Sequence, residues 1–173
     1  MKRFYSLLFA VLFIVACTQD KLEQAKALQL IRESRHYPKL VGYEIYVADP
    51  NQVSKLTNTT LQRDGFITVE EVHSLGEIGK RLIFFTEKAS PYLIPETPDD
   101  DSRGIQRVKI AEEEITGIQT IKYLNDGKEA EVGYQIGYQN ISPFSSLISI
   151  DFNKKRGGKA YFSLSNEGWQ IKN

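Results

Sequence analysis

The stretch "IKYLNDGKEAEVGYQIGYQ", residues 121–139, contains the strongest turn signal in the chain. Its triplet Asn125–Gly127 suits a type I′ turn, because the central residues of that turn need positive φ angles. On the return strand, apolar and aromatic residues occupy every second position: Val132, Tyr134, Ile136 and Tyr138. Four such side chains on one face are too apolar to stay in contact with water. We therefore predict an antiparallel hairpin of which one face is covered.

The residues around this hairpin continue the β pattern. The segment 108–124, "VKIAEEEITGIQTIKYL", is ambiguous in its first half and resembles a strand after Ile115. Three later segments, "LISIDF" (147–152), "KAYFSL" (159–164) and "WQIK" (169–172), have the composition of strands. We predict that residues 105–173 form an antiparallel sheet of four or five strands.

The N-terminal part shows helical periodicity. Apolar residues recur at intervals of three between Leu22 and Ser34, which predicts a helix capped by Thr18 or Asp20. A strand is expected over residues 41–48. A second helix is expected from the Asp49 cap to the Asp64-Gly65 stop, and its inner face would carry Val53, Leu56, Thr60 and Leu61.

Two short β-rich segments follow, at residues 66–72 and 81–86, and they predict a β-hairpin. We therefore expect a helix and β-hairpin part over residues 25–95. An acidic, Pro-containing segment at 96–104 predicts a linker to the antiparallel β part at 105–173. The fold class is then α+β, with N-terminal helices and a β-hairpin before a C-terminal antiparallel sheet.

The first 17 residues carry a targeting signal. Two basic residues precede a 13-residue run, "FYSLLFAVLFIVA", which is too short for a comfortable membrane span. The run ends in Ile14-Val15-Ala16-Cys17, which resembles the lipobox of bacterial lipoproteins. The resemblance implies that residues 1–16 are a signal peptide, that Cys17 is lipidated, and that residues 17–24 form the tether.

This resemblance also implies a location in the cell envelope. A diacylglyceryl group on Cys17, together with a fatty acyl chain such as palmitate on the new amino terminus, would anchor the chain stably to a membrane. Thr18 in place of Asp favours the outer membrane, on its periplasmic face, over the inner membrane. Two alternatives remain open from the residues alone, an uncleaved anchor helix and a buried free cysteine.

Two further stretches resemble known folds. Residues 56–93, with "LQRDGFI" and "FFTEKASPYL", resemble the end of a winged-helix domain, whereas a plain helix packed on a hairpin is the alternative. The closing "KAYFSLSNEGWQI" resembles the last strands of NTF2-like or cystatin-like lipoprotein domains. The alternative there is a final core strand in which Trp169 is a packing anchor.

Composition argues against a nucleic-acid partner. The chain has 22 basic and 22 acidic side chains, and loss of Lys2 and Arg3 with the signal peptide leaves 20 basic against 22 acidic. General nucleic-acid binders usually present a basic face. With Cys17 lipidated no thiol remains for a disulfide, so we expect packing alone to stabilise the fold.

No pattern of catalytic residues is evident. The two histidines, His36 and His73, have no second ligand at metal-binding spacing, and no phosphate-binding loop or nucleophile elbow occurs. The acidic runs Asp99–Asp101 and Glu112–Glu114 could bind a hard cation, but solvated surfaces explain them better. We therefore expect no catalytic residue, no metal and no cofactor.

Two groups of side chains are candidates for binding. The first is a cationic patch for an anion or a lipid headgroup, made of Lys154, Lys155, Arg156 and Lys159. The second is a set of aromatic residues that could line a pocket in the C-terminal sheet, namely Tyr134, Tyr138, Phe162 and Trp169. A solvated hairpin loop and a filled core are the respective alternatives.

These features support two hypotheses of function. The first is a membrane-anchored, non-enzymatic binding or docking module whose partners are the membrane, through the lipid anchor, and another envelope protein. The second is a small-ligand or lipid carrier with an aromatic-lined pocket. A pocket lined by several of the predicted rings would favour the carrier, and a filled core would favour docking.

Overall fold

A computed structural model of the protein describes residues 21–70 and 79–172. In chain order the elements are α1 (Gln24–Arg35), β1 (Lys39–Tyr46), α2 (Pro50–Leu56), α3 (Thr60–Arg63), β2 (Ile67–Val69), β3 (Ile83–Phe85), a 3₁₀ helix (Glu87–Tyr92), α4 (Pro98–Ser102), β4 (Ile105–Leu124), β5 (Glu129–Gln139), a 3₁₀ helix (Pro143–Leu147), β6 (Arg156–Ser165) and β7 (Gly168–Lys172). An antiparallel five-stranded sheet has the order β1-β4-β5-β6-β7, and β2 pairs with β3. The fold is α+β, as predicted.

The predicted hairpin joins β4 to β5. Asn125, Asp126 and Gly127 have φ angles of 49°, 53° and 81°, and the Gly127 N–H donates to the Leu124 carbonyl at 3.1 Å. The positive φ predicted for Gly127 is confirmed. Across the ladder Ile121 pairs with Val132, which is the register that the alternating pattern requires.

Strand β4 is the longest of the described elements and connects the two halves of the fold. Its first half pairs with β1 and its second half with β5. Register shifts at 115–117 and 118–120 mark bulges, which bend a strand and increase its twist. The first half of segment 108–124, whose secondary structure the sequence left ambiguous, is therefore also part of this strand.

The expected strand at 147–152 is wrong. A 3₁₀ helix over Pro143–Leu147 comes first, with the Ser142 hydroxyl accepting from the Phe144 N–H at 3.1 Å, and no strand follows before β6. Apolar residues of a loop that packs on a core can mimic a short strand, because periodicity does not distinguish the two. Phe144 is fully buried, and its ring contacts those of Phe66, Phe85 and Tyr92 at centroid distances of 6.1–6.2 Å.

Helix α1 covers one face of the C-terminal sheet. Its buried residues Ala27 and Ile31 pack with Val132, Tyr134 and other side chains of β5, β6 and β7. The helix begins after Glu23 and ends at His36, whose φ of 55° is left-handed. The predicted caps Thr18 and Asp20 lie outside the described residues.

The single helix predicted between residues 49 and 65 is wrong, because two short helices stand in its place. Asp49 does cap α2, where it accepts from the Asn51 N–H at 2.8 Å. The Thr57 and Thr59 hydroxyls then bond to backbone carbonyls, and Asn58 has a φ of 59°. Such side chains compete with helical hydrogen bonds, which explains the break.

The segment 96–104, expected to be a linker, is folded. It contains α4, which begins with a capping box between Thr97 and Asp100. Asp100 is buried and forms an ion pair with Arg107 of β4 at 3.0 Å. The parts on either side of this segment share one sheet, because β1 pairs with β4.

The predicted β-hairpin of the N-terminal part is present in shortened form, with Ile67 opposite Phe85. In this part of the chain, β1 pairs with β4 rather than with that hairpin, and α2 and α3 span only seven and four residues. The described residues of 56–93 thus show the helix and hairpin order on which the winged-helix resemblance rests, and no sheet among the described residues joins β1 to β2 and β3. The predicted wing at 73–80 lies mostly outside the described residues.

Candidate functional site

The aromatic residues predicted to line a pocket do not lie together. Tyr134, Phe162 and Trp169 are 1%, 0% and 7% exposed and belong to the core beneath α1. Tyr138 lies apart from them, half-buried, and its ring packs edge-on against Phe152 with 5.3 Å between centroids. Three of the four predicted pocket residues therefore fill space rather than enclose it.

Tyr134 shows how tightly this core is filled. Arg35 of α1 donates to the Tyr134 hydroxyl and, at 2.8 Å, to the Lys159 carbonyl, so that the helix is bound to both β5 and β6. The ring lies over Gly158, where a Cβ would come less than 3.0 Å from ring atoms. Glycine is required there by the close approach of the ring.

The four residues of the predicted cationic patch lie in different environments. Arg156 donates to Glu113 at 2.7 Å, and Lys159 donates to Glu131 at 2.9 Å. Side chains alternate across a strand, so Arg156 and Lys159 project from opposite faces of β6. Lys154 and Lys155 precede that strand and are exposed. The four cations therefore do not form one anion-binding surface.

The two paired cations are held in the charged form. The hydrogen bond to Glu131 raises the pKa of Lys159 above its usual value and, from the other side, lowers the pKa of Glu131. Burial acts to lower the pKa of Arg156, but the hydrogen bond to Glu113 and the Glu113 charge, together with the effect of two nearby tyrosines, make the net shift upward. Both charges are neutralised by carboxylates, which weakens their attraction for a ligand anion.

A cleft beside Tyr138 brings together members of both predicted groups. This Tyr138 cleft has a volume of about 310 Å³, near the lower limit for small-molecule sites. Its walls are apolar on one part and mixed in charge on the other, and they include Ile136, Tyr138, Ile150, Glu113, Asp151, Lys154 and Arg156. Of the predicted residues, this cleft unites Tyr138, Lys154 and Arg156.

A second, more open groove lies at the start of β4 and was not predicted. This Phe84 groove has a volume of about 710 Å³ and is lined by Arg81, Phe84, Phe85, Leu93, Ile94, Pro95, Glu96 and Gln106. Apolar side chains form most of its lining, and Arg81 and Glu96, which form an ion pair at 3.8 Å, lie at its margin. The sequence feature that could have indicated this groove is the apolar pair Leu93-Ile94, which lies just before the expected linker.

The walls of the Phe84 groove are fixed by hydrogen bonds. Ile94 donates from its N–H to the Arg107 carbonyl at 3.0 Å and accepts from the buried Gln106 amide at 2.9 Å. Leu93 forms a β-bridge with Val108. On the opposite wall the Arg81 guanidinium donates to the Ile83 carbonyl at 3.1 Å. A groove held in this way is largely formed before a partner arrives.

Five of the six carboxylates in the two acidic runs form ion pairs with described residues. Asp99 pairs with Arg103 at 3.4 Å, and Asp100 pairs with Arg107. In the second run, each glutamate has its own cation: Glu112 with Lys109, Glu113 with Arg156, and Glu114 with Arg32. Within residues 21–70 and 79–172, no group of three or more acidic, histidine or cysteine side chains could hold a metal ion.

Of the remaining residues singled out in the sequence, His36 lines neither cleft. His36 ends α1, where its N–H donates to carbonyls of the last turn. His73 and Cys17 lie outside the described residues, so lipidation of Cys17 stays a prediction. No helix in the described part of the chain has the length and hydropathy of a membrane span.

Comparison of the sequence with models of protein families, with curated proteins and with solved structures found no match. Any conclusion on function therefore rests on the chemistry of the surface and on the signal peptide predicted from the N-terminal sequence.

Proposed function

We propose that the protein is a bacterial envelope lipoprotein whose folded body is a non-enzymatic docking module for another envelope protein. The membrane attachment rests on the lipobox that ends at Cys17. The docking role rests chiefly on one observation, the open and mostly apolar Phe84 groove. Grooves that receive an apolar anchor side chain, with charged residues at the margin, are typical centres of protein interfaces.

The filled core supports docking over transport. A carrier needs an enclosed space, whereas α1 and the side chains of Tyr134, Phe162 and Trp169 occupy the space above the C-terminal sheet. The Phe84 groove is open, and both signs of charge are present at its margin in Arg81 and Glu96. A protein segment that presents an apolar side chain beside polar groups fits this surface better than a fully apolar ligand.

Crosslinking in intact cells tests the docking role. A photoreactive residue in place of Phe84, which lines the groove, should form a discrete adduct with one envelope protein. The matched control is Tyr161, an aromatic residue of β6 that is 47% exposed and lines neither cleft. The same adduct from both positions, or none from position 84, would contradict docking at the groove.

Replacement of Cys17 tests the anchor independently. Cys17→Ser removes the atom that would carry the diacylglyceryl group, so we expect the protein to leave the membrane fraction or to stay unprocessed. Fractionation and mass spectrometry of the intact protein measure both effects. A Cys17→Ser protein that still fractionates with membranes at the mature size would show that the lipobox has been misinterpreted.

A carrier of a small anionic amphiphile is the second candidate, because Tyr138, Lys154 and Arg156 line the 310 Å³ Tyr138 cleft. Native mass spectrometry of the protein extracted from membranes distinguishes the two roles. A stoichiometric bound lipid that is lost in Lys154→Glu would favour the carrier, whereas a protein free of ligand would favour docking.

A further inference from the structure

The point at which the chain joins the folded body lies at one end of the molecule. Leu22 is 3% exposed and packs in the core beneath α1. Its carbonyl accepts a hydrogen bond from the Tyr123 hydroxyl at 3.2 Å. Tyr123 is the second-last residue of β4, two residues before the turn Asn125–Lys128 that leads to β5. The described chain therefore begins beside the β4–β5 turn.

The tether from this point to Cys17 is short. Five Cα–Cα steps separate Cys17 from Leu22, and an extended chain spans at most about 3.6 Å per residue, or about 18 Å in total. Helix α1 has 12 residues and is also about 18 Å long at about 1.5 Å per residue. The tether can therefore extend no farther along the body than the length of α1.

The Phe84 groove lies beyond that limit. The last turn of α1 contacts the middle of β4, where Arg32 pairs with Glu114 at 3.0 Å. Gln106 and the rest of the groove lie along the first half of β4, on the far side of this contact. A lipid on Cys17 therefore holds the β4–β5 turn close to the bilayer and cannot reach the groove.

The surface around the turn suits contact with headgroups. Tyr123 is 39% exposed, and tyrosine is enriched where protein meets the membrane interface. Lys21 and Lys128 are exposed and form no ion pair with a described residue. Long lysine side chains can direct their charge toward headgroup phosphates. Glu23 and Asp126 share this end, so net charge alone does not drive the contact.

We infer that the end of the body around Tyr123 and the turn Asn125–Lys128 lies against phospholipid headgroups, with the Phe84 groove directed away from the bilayer. This inference rests on the lipid anchor of the proposed function. It explains how a membrane-anchored protein can offer its groove to a partner that spans the space beyond the membrane surface.

Energy transfer to the bilayer tests this orientation in the full lipidated protein. Because lipidation consumes the thiol of Cys17, a cysteine introduced elsewhere is the only free thiol and accepts a fluorescent donor. Three variants with exposed positions sample the body: Lys128→Cys at the turn, Ser34→Cys near the end of α1, and Lys55→Cys on α2. The vesicles contain phosphatidylethanolamine and phosphatidylglycerol with a headgroup-linked acceptor.

We expect transfer to be strongest from position 128, intermediate from 34 and weakest from 55. Equal transfer from positions 128 and 55 would mean that the body lies flat, and stronger transfer from 55 would mean that it is inverted; either result overturns the orientation alone. Mass spectrometry of Cys17 on the same samples separates the two claims. A chain without lipid that washes off the vesicles overturns the proposed function and the orientation together.

Discussion

At Gly158 the absence of a side chain decides how β6 packs under α1. The ring of Tyr134, 1% exposed and bonded to Arg35, occupies the space where a Cβ would stand. The neighbouring Gly157 has no atom within 4 Å of the equivalent position. Of these two adjacent glycines, only Gly157 has room for a side chain.

We expect Gly158→Ala to lower the free energy of unfolding by about 1–3 kcal/mol, because an overpacked core must shift to accept the methyl group. For a chain of this size each 1 kcal/mol corresponds to roughly 2–4 °C in the thermal midpoint. Gly157→Ala is the matched control and should leave the midpoint unchanged or slightly raised. Equal midpoints for the two variants would mean that the Tyr134 ring is free to move aside.

Among the elements, α4 shows how an acidic segment becomes part of the fold. Asp100 accepts from the Thr97 N–H at 2.9 Å and from the Thr97 hydroxyl at 2.7 Å. Arg107 contacts the same carboxylate and also pairs with Glu44 of β1 at 3.1 Å. This group joins α4 to two strands of the sheet, which explains why the segment is ordered.

The bonds from Thr97, and then the charges of Arg107 and Arg103, lower the pKa of Asp100 below its ordinary value of 3.8. A carboxyl group whose pKa is lower in the folded state stabilises the fold fully above its unfolded pKa. That contribution is lost as the pH falls through the folded value. The fold should therefore become less stable on acidification below about pH 3.8.

We expect Asp100→Asn to unfold at a lower urea concentration than the parent at pH 7, with the difference shrinking as the pH falls below about 3.8. Urea titrations from pH 7 to pH 2.5 measure both effects. Asp101→Asn, an exposed change in the same helix, should follow the parent at every pH. A constant difference between Asp100→Asn and the parent would show that the Asp100 charge has no part in acid lability.

At the scale of the whole molecule, the described part of the chain is organised around two cores on one bent strand. The core beneath α1 lies on the second half of β4, and the core around Phe144 lies on the first half. Leu22 is the first residue from the N-terminus that belongs to either core within the described part of the chain. We therefore expect the fold to need the chain from Leu22 onward and not the residues before it.

Two shortened chains test this boundary. A chain that begins at Lys21 should be soluble without detergent and should unfold at the same temperature as Cys17→Ser. A chain that begins at Glu23 lacks the buried Leu22 side chain and should lose about 2–5 kcal/mol of unfolding free energy, as for other buried leucines. Calorimetry measures both midpoints. Aggregation of the longer chain would indicate that earlier residues are needed.

The sequence by itself determined the local features of this protein. The positive φ angles at Asn125–Gly127, the alternation along β5, the Asp49 cap and the α+β class all follow from patterns within a few residues. These features are readable because turn geometry and side-chain periodicity act between near neighbours in the chain. The break between α2 and α3 was missed because helix periodicity continues across Asn58.

Only the tertiary structure decided the character of the candidate site. Whether Tyr134 lined a pocket or filled a core depended on α1, which lies about 100 residues earlier in the chain. Whether Arg156 was available to a ligand depended on Glu113, and whether 96–104 was a linker depended on Arg107. The Phe84 groove likewise depends on the fold bringing β3, residues 93–96 and the start of β4 together around one space. Such contacts join distant segments, and no short pattern in the sequence encodes which segments meet.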